Sequence, residues 1–317
     1  MSNSTERNSG VAIISTVKAP LDQLVMFVNY HINLGVDEII LYFDDPEDPC
    51  LNVLSRHPNV TAIACSSFYW QENGGTRPTA LEEIQILNLN NGAELAKSMR
   101  CKWIIHIDSD EILNPNGKLN EILMSSNADV LRFRVMEAVA EKSRYDHIFE
   151  PTLFKINANP KRVKLARLLG CFNAIYDGEY FRGHLASKTA TRLDADVRQH
   201  GIHGPSGFDK TLIRKRTKDI ALLHFDCIGM VDWAAKCESR IQTSATTNTD
   251  ELAPTGNRPN RKNQFWQYVA AKQQGNEALT KLYRKLYIIP RRERLILKAL
   301  NMLCTVRLDR SLFQDPR

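Results

Sequence analysis

Asp108 and Asp110 close the apolar run Trp103-Ile104-Ile105-His106-Ile107, with Ser109 between them and Glu111 after them. No other stretch of the chain is so well suited to hold a cation. In extended backbone, residues i and i+2 project the same way, so both carboxylates are expected to leave the end of a buried strand together. Two like charges held that close repel unless a cation lies between them. Hard oxygen ligands favour Mg²⁺ or Mn²⁺, which keep positions open for substrate phosphates. The chemistry to expect is Lewis-acid stabilisation of a phosphate-bearing group.

The elements that must position this pair are legible as alternating runs. Val11–Val17 is apolar and β-branched, a buried strand. Pro20 suits a first helical turn and Gly35 a helix stop, with Leu21, Leu24, Val25 and Val28 at helical spacing between them. Glu38–Phe43 is a second strand ending at Asp44-Asp45, and Val60–Cys65 a third. A helix over about 79–99 precedes the strand at Trp103. The rhythm predicts an α/β fold: a doubly wound, mostly parallel sheet with helices on both faces. Ligands of such sheets sit beyond the carboxyl ends of the strands, where Ser15-Thr16, Asp44-Asp45 and Asp108-Ser109-Asp110 all fall. His31 and His106 are expected to pack. Neither a dinucleotide-binding G-x-G-x-x-G nor a P-loop occurs, so metal and side chains must hold any phosphate.

Three motifs in order, Asn29-Tyr30-His31-Ile32-Asn33-Leu34-Gly35-Val36-Asp37, Ile40-Leu41-Tyr42-Phe43-Asp44 and Trp103…Asp108-Ser109-Asp110-Glu111, resemble those of the bacterial family 2-type glycosyltransferases. The likeness covers about residues 11–240. It implies a GT-A fold, a nucleotide-diphosphate sugar as donor, and a divalent cation, Mn²⁺ or Mg²⁺, at Asp108 and Asp110. It further implies that the early strand ends, Ser15 and Thr16, and Asp44 or Asp45 contact base and ribose, and that Asn91 matches an Asn preceding the acidic strand. Many relatives complete the metal site with a late His. His224, which ends the apolar run Leu222-Leu223, is the preferred match and His203 the second.

The second half offers acceptor-side chemistry. Lys188 and Arg192 suit a donor diphosphate, as point charge and as fork. An inverting transfer needs a base for the acceptor hydroxyl; Asp226 is the first candidate, with Asp209 and then Glu179 after it. A glycan or lipid-linked acceptor of bacterial surface polysaccharide synthesis fits best. A nucleotidyl or phosphoryl transferase, or a non-catalytic sugar-binding module, is the alternative.

The expected organisation is a disordered 1–10, a catalytic domain over 11–242 (donor half 11–115, acceptor half 116–242), a linker 243–263 and a basic helical extension 264–317. The formal net charge of +6 hides an asymmetry: residues 281–317 hold ten Lys or Arg against three acids, leaving the rest near neutral. Basic and aromatic residues beside the apolar Leu295–Leu303 suit peripheral contact with an anionic membrane. Nucleic acid is not an expected partner. Seven scattered cysteines without a C-x-x-C pair suit a reducing compartment. The polar start argues against a secretory signal, and the expected location is cytoplasmic, at most peripheral on the inner face of the membrane.

Overall fold

The computed structural model describes residues 10–175, 179–181, 187–205, 212–246 and 259–316. In chain order the elements are β1 (Val11–Val17), α1 (Leu21–Asn33), β2 (Glu38–Phe43), α2 (Pro49–Leu54), β3 (Val60–Ala64), α3 (Ser67–Glu72), α4 (Leu81–Ser98), β4 (Trp103–His106), β5 (Glu111–Pro115), α5 (Leu119–Ser125) and β6 (Val130–Ala138). There follow β7 (Leu153–Ile156), α6 (Pro160–Leu168), β8 (Thr189–Arg192), β9 (Arg214–His224), α7 (Met230–Thr246), α8 (Pro259–Gln274), α9 (Asn276–Tyr287), α10 (Arg291–Ala299) and β10 (Leu303–Thr305). The chain divides into two compact units, one of residues 10–135, 186–223 and 308–317, the other of 136–185 and 224–307.

The first unit is α/β. β1 lies between β2 and β4, with β3 beyond β2, all parallel. The apolar runs are buried on both faces, as parallel strands require. Ala12, Ile14, Ile40, Tyr42 and Ile104 pack with Ile84, Leu89, Ala93 and Ala96 of α4 and Trp70 of α3. Their neighbours Val11, Ile13, Ile39, Leu41, Trp103 and Ile105 are equally buried and by alternation line the other face. Beyond β4 the pairing turns antiparallel, through β8 to β6, and β9 pairs with β5 and β6.

Gly92 sets the approach of α4 to the sheet. A Cβ there would stand 2.9 Å from Ile14 Cγ2 and 3.0 Å from its Cδ1. Gly92→Ala would gain about 0.5–1 kcal/mol of helix propensity against about 1–3 kcal/mol of overpacking. A net loss of about 1 kcal/mol, read from the urea midpoint, is expected; a stabilised variant would show that α4 can shift freely.

His31 shows how a packed histidine is fixed. Its Nδ1 lies 2.8 Å from the Phe27 carbonyl, and its Nε2 accepts from Leu113 N–H at 3.3 Å. One neutral tautomer satisfies both partners, and burial pushes its pKa down to about 3. The unfolded chain therefore binds a proton that the folded one refuses. Stability is whole above the ordinary histidine value and falls by about 1.4 kcal/mol per pH unit between there and pH about 3. His31→Gln should take up one proton fewer on acid unfolding, measurable as a shallower slope of stability against pH.

In the second unit β7 lies antiparallel between residues 136–138 of β6 and β10. Val139, Leu153, Ala166, Cys171, Ile289, Leu297 and Met302 form its core. Glu293 of α10 is buried there and accepts from the N–H groups of Asn173, at 3.1 Å, and Ala174, at 2.8 Å. α7 and α8 extend into the stretch expected to be linker, and residues 247–258 lie outside the described residues. Residues 308–317 belong with the first unit rather than with the basic helices: Asn29 Nδ2 donates to the Phe313 carbonyl at 3.2 Å, and the Tyr30 and Phe313 rings are 4.8 Å apart. No described helix is long and apolar enough to cross a membrane.

Candidate functional site

β4 stops at His106, so Asp108, Ser109 and Asp110 form a turn into β5 rather than the end of a strand. The expected strand alternation therefore does not set their directions. Glu111 N–H donates to the Asp108 carbonyl at 2.9 Å, and the Glu111 carboxylate accepts from Asp108 N–H at 2.9 Å. Gln23 of α1 donates to the Ser109 carbonyl at 3.0 Å and reaches its Oγ at 3.3 Å. This occupies Ser109, expected at the donor, in fixing the turn.

The Asp108 carboxylate is held through both oxygens. Gln85 of α4 donates to Oδ1 at 3.0 Å, and Lys188 Nζ donates to Oδ2 at 2.9 Å. Lys188 also lies 3.6 Å from Glu111 Oε2, with its side chain only 5% exposed. Burial would lower its pKa, but Glu111 and then Asp108 outweigh burial and hold it above the ordinary lysine value. The sequence calls for a cation at the acidic pair; the protein supplies an ammonium. Lys188, expected as a charge directed at the diphosphate, and Asp108, expected as a metal ligand, thus pair with each other in this structure. His106 is buried as expected, yet its Nδ1 sits 3.3 Å from Lys188 Nζ. Burial first, then Lys188, pushes its pKa down to about 3. Asp110 is half-buried in the same turn.

The ends of β1 and β2 lie beside this turn in sheet order. Ser15 is fully buried with no partner for its hydroxyl, which corrects its expected contact with a nucleotide. Thr16 is half-buried and its Oγ1 accepts from Asn88 at 3.0 Å. Asn91 donates to the Tyr69 hydroxyl at 3.0 Å and to Asn73 Oδ1 at 2.8 Å, so its amide joins α4 to α3 instead of projecting toward a donor. Asp44 takes Arg77 through both oxygens, at 2.7 and 2.9 Å. Exposed Asp45 accepts from Glu47 N–H at 3.0 Å, shaping the turn after β2.

Arg192 is not brought to the acids. It pairs in register with Trp103, at the start of β4, while Asp108 follows its end. Its guanidinium donates to the carbonyls of Ala128 and Ser126 at 3.1 and 2.9 Å and lies over the Trp103 ring. His203 is half-buried and its carbonyl accepts from Arg132 at 3.4 Å. Asp209 lies outside the described residues.

In the second unit, His224 ends β9 and a ligand atom of its ring lies within 4.8 Å of an Asp226 carboxylate oxygen. Lys236 of α7 donates to Asp226 Oδ1 at 3.0 Å, as does the Cys227 thiol at 3.3 Å. Cys227 adopts φ 57°, a left-handed conformation that costs a non-glycine residue about 1–2 kcal/mol. Tyr283 secures it: its hydroxyl donates to the Cys227 carbonyl at 3.0 Å and accepts from Gly229 N–H at 2.7 Å. Glu179 is half-buried in this unit.

Gln23, Gln85 and Lys236 are site residues that the sequence reading missed. Gln85 carried a signal in lying on the helix before the acidic strand, three residues ahead of Asn88. Gln23 and Lys236 carried none, because their partners are distant in sequence or beyond a turn.

No family model matches the chain. It is 24% identical over 241 residues to Glycosyltransferase-like At2g41451 of Arabidopsis thaliana, covering 68% of this chain and 53% of that protein. It is also 24% identical over 246 residues to Glycosyltransferase-like At3g57200 of the same plant, covering 68% and 46%. The chain thus spans about half the length of the curated relatives it matches. Among solved structures it is similar to HddC from Yersinia pseudotuberculosis, with a TM-score of 0.35 and 15% identity over 73% of this chain and 98% of that one. It is also similar to S. aureus TarS 1–349, with a TM-score of 0.38 and 12% identity over 90% and 82%.

Proposed function

We propose that this protein is a metal-dependent glycosyltransferase that moves a sugar from a nucleotide-diphosphate sugar to a glycan or lipid-linked acceptor in surface polysaccharide synthesis. The observation that carries this reading is the placement of Thr16, Asp44 and the Asp108–Glu111 turn at the carboxyl ends of adjacent parallel strands. That is where α/β sheets bind ligands. Its similarity to proteins named glycosyltransferase-like supports the same class.

The half-buried carboxylate of Asp110 in the first unit is the hard oxygen ligand that Mn²⁺ or Mg²⁺ takes; in the second unit the His224 imidazole and an Asp226 carboxylate oxygen lie within 4.8 Å of each other. The bound cation would supply Lewis-acid stabilisation to the diphosphate as it leaves. Asp226 is the proposed base for the acceptor hydroxyl, held by Lys236. The Thr16 and Asp44 ends of β1 and β2 would take the base and ribose. Lys281, Arg284, Lys285, Arg291, Arg292 and Lys298 are exposed, while Tyr283, Leu286 and Leu297 are buried. The helices thus turn their charge outward, with Leu295 of α10 exposed beside it, which suits an anionic headgroup surface.

A thermal-shift panel of nucleoside diphosphates and nucleotide sugars, each with Mn²⁺ or EDTA, tests the function, since a ligand of the folded state raises apparent stability. A Mn²⁺-dependent rise with one nucleotide is expected, and release of that nucleotide diphosphate with an acceptor present. A shift with nucleoside triphosphates and sugar phosphates instead would assign nucleotidyl transfer; binding without turnover would leave a binding module.

A further inference from the structure

We propose that Lys188 is a positioning residue: its buried ammonium balances Asp108 and Glu111, so that the acidic turn keeps its shape without a metal ion and Asp110 is the acid a divalent cation takes. The Asp110 half of this statement rests on the metal-dependent transfer proposed above; the Lys188 half stands on geometry alone. Three acids fall within four residues, Asp108, Asp110 and Glu111. In most settings such a cluster stays open until a cation enters, because the carboxylates repel. Here the turn is closed by its own hydrogen bonds, and Lys188 Nζ lies 2.9 Å from Asp108 and 3.6 Å from Glu111.

The route by which Lys188 arrives explains its fixity. It directly precedes β8, whose backbone pairs with both β4 and β6, and its own carbonyl accepts from Phe133 N–H at 3.1 Å. The ammonium is therefore carried by the sheet rather than by a loop. With Gln85 on the other Asp108 oxygen, the carboxylate has one charged and one neutral donor at ordinary distances. A metal ion drawn to Asp108 would have to break its 2.9 Å ion pair with a buried ammonium, a cost that binding at Asp110 does not carry.

The test is a double-mutant cycle on the full chain, Lys188→Met, Asp108→Asn and both together. Thermal midpoints are read in EDTA and in Mn²⁺, and Mn²⁺ binding is followed by electron paramagnetic resonance. In EDTA, Lys188→Met is expected to melt about 10 °C below wild type and to recover most of that loss in Mn²⁺, because the cation then balances the acids. The double variant should regain part of the loss in EDTA, since it removes the Asp108 charge but leaves Glu111 without its ammonium, and it carries the test if Lys188→Met does not fold. A double variant no more stable than Lys188→Met, or a Lys188→Met midpoint equal to wild type, overturns the role of Lys188. Asp108→Asn should keep Mn²⁺ binding within about threefold while Asp110→Asn loses it; equal losses overturn the assignment of Asp110. A wild-type chain that binds no Mn²⁺ overturns the metal-dependent function and the Asp110 assignment with it, while the EDTA cycle still decides Lys188.

Discussion

Replacing Asp110 with Asn is expected to abolish the Mn²⁺-dependent thermal shift given by the donor nucleotide and to lower sugar transfer by about 10³-fold, or about 4 kcal/mol at 1.36 kcal/mol per tenfold. The size follows from what a bound divalent cation supplies, several kcal/mol of charge stabilisation as the diphosphate leaves. The fold should be spared. Asp110 is half-buried in a turn whose shape is held by Glu111, Gln23, Gln85 and Lys188. The melting point of the unliganded variant should therefore stay within about 2 °C of wild type, because a substitution outside the core usually moves stability by about 0.5 kcal/mol or less. Transfer that survives in Asp110→Asn under excess chelator would refute metal-dependent catalysis.

Lys155→Met is expected to be the most damaging single change in the second unit, at about 3–5 kcal/mol. The Lys155 and Glu137 side chains are 6% and 8% exposed and their charged atoms are 3.3 Å apart across the β6–β7 pair. Lys155 also donates to the Tyr180 carbonyl at 2.7 Å and lies over the Tyr180 ring. Removing the ammonium leaves a buried carboxylate without its charge partner. The combined change Glu137→Gln with Lys155→Met should regain most of the loss, since it removes both charges. Urea unfolding of the two variants checks this. A loss below about 1 kcal/mol for Lys155→Met would show that water reaches Glu137 in the folded state.

The parallel half of the first unit could be read directly from the sequence because each of its elements announces itself locally. β1 and β2 are largely apolar and buried runs, α1 is bounded by Pro20 and Gly35, and α4 follows a helical period over the stretch expected for it. The acidic turn was found for the same reason, from an apolar run followed by acids. What the acids touch was not legible. Lys188 is 80 residues from Asp108 in sequence and meets it only because β8 pairs antiparallel with β4, a register that no local pattern encodes. Arg192 was misplaced for want of that register. The length of β8 separates an ammonium at the acids from a guanidinium at the far end of β4. Asn91 was misread because an amide on a helix face announces neither which neighbour it bonds nor that Tyr69 waits there. Burial of His31 was legible from its helix face, whereas its acceptance of the Leu113 N–H required the tertiary structure.

The segment 308–317 bears on how the molecule is made. The first unit is assembled from three stretches of chain, and the last of them is synthesised only after all of 224–307. Until then α1 lacks the Phe313 ring against Tyr30 and the carbonyls that Asn29 and Asn33 bond. Contacts so far apart in sequence are slow to form. The nascent first unit would thus leave the ribosome with part of α1 uncovered until 308–317 follows. Degradation or chaperone capture during synthesis would then act on the first unit, although its first stretch is encoded before any of the second.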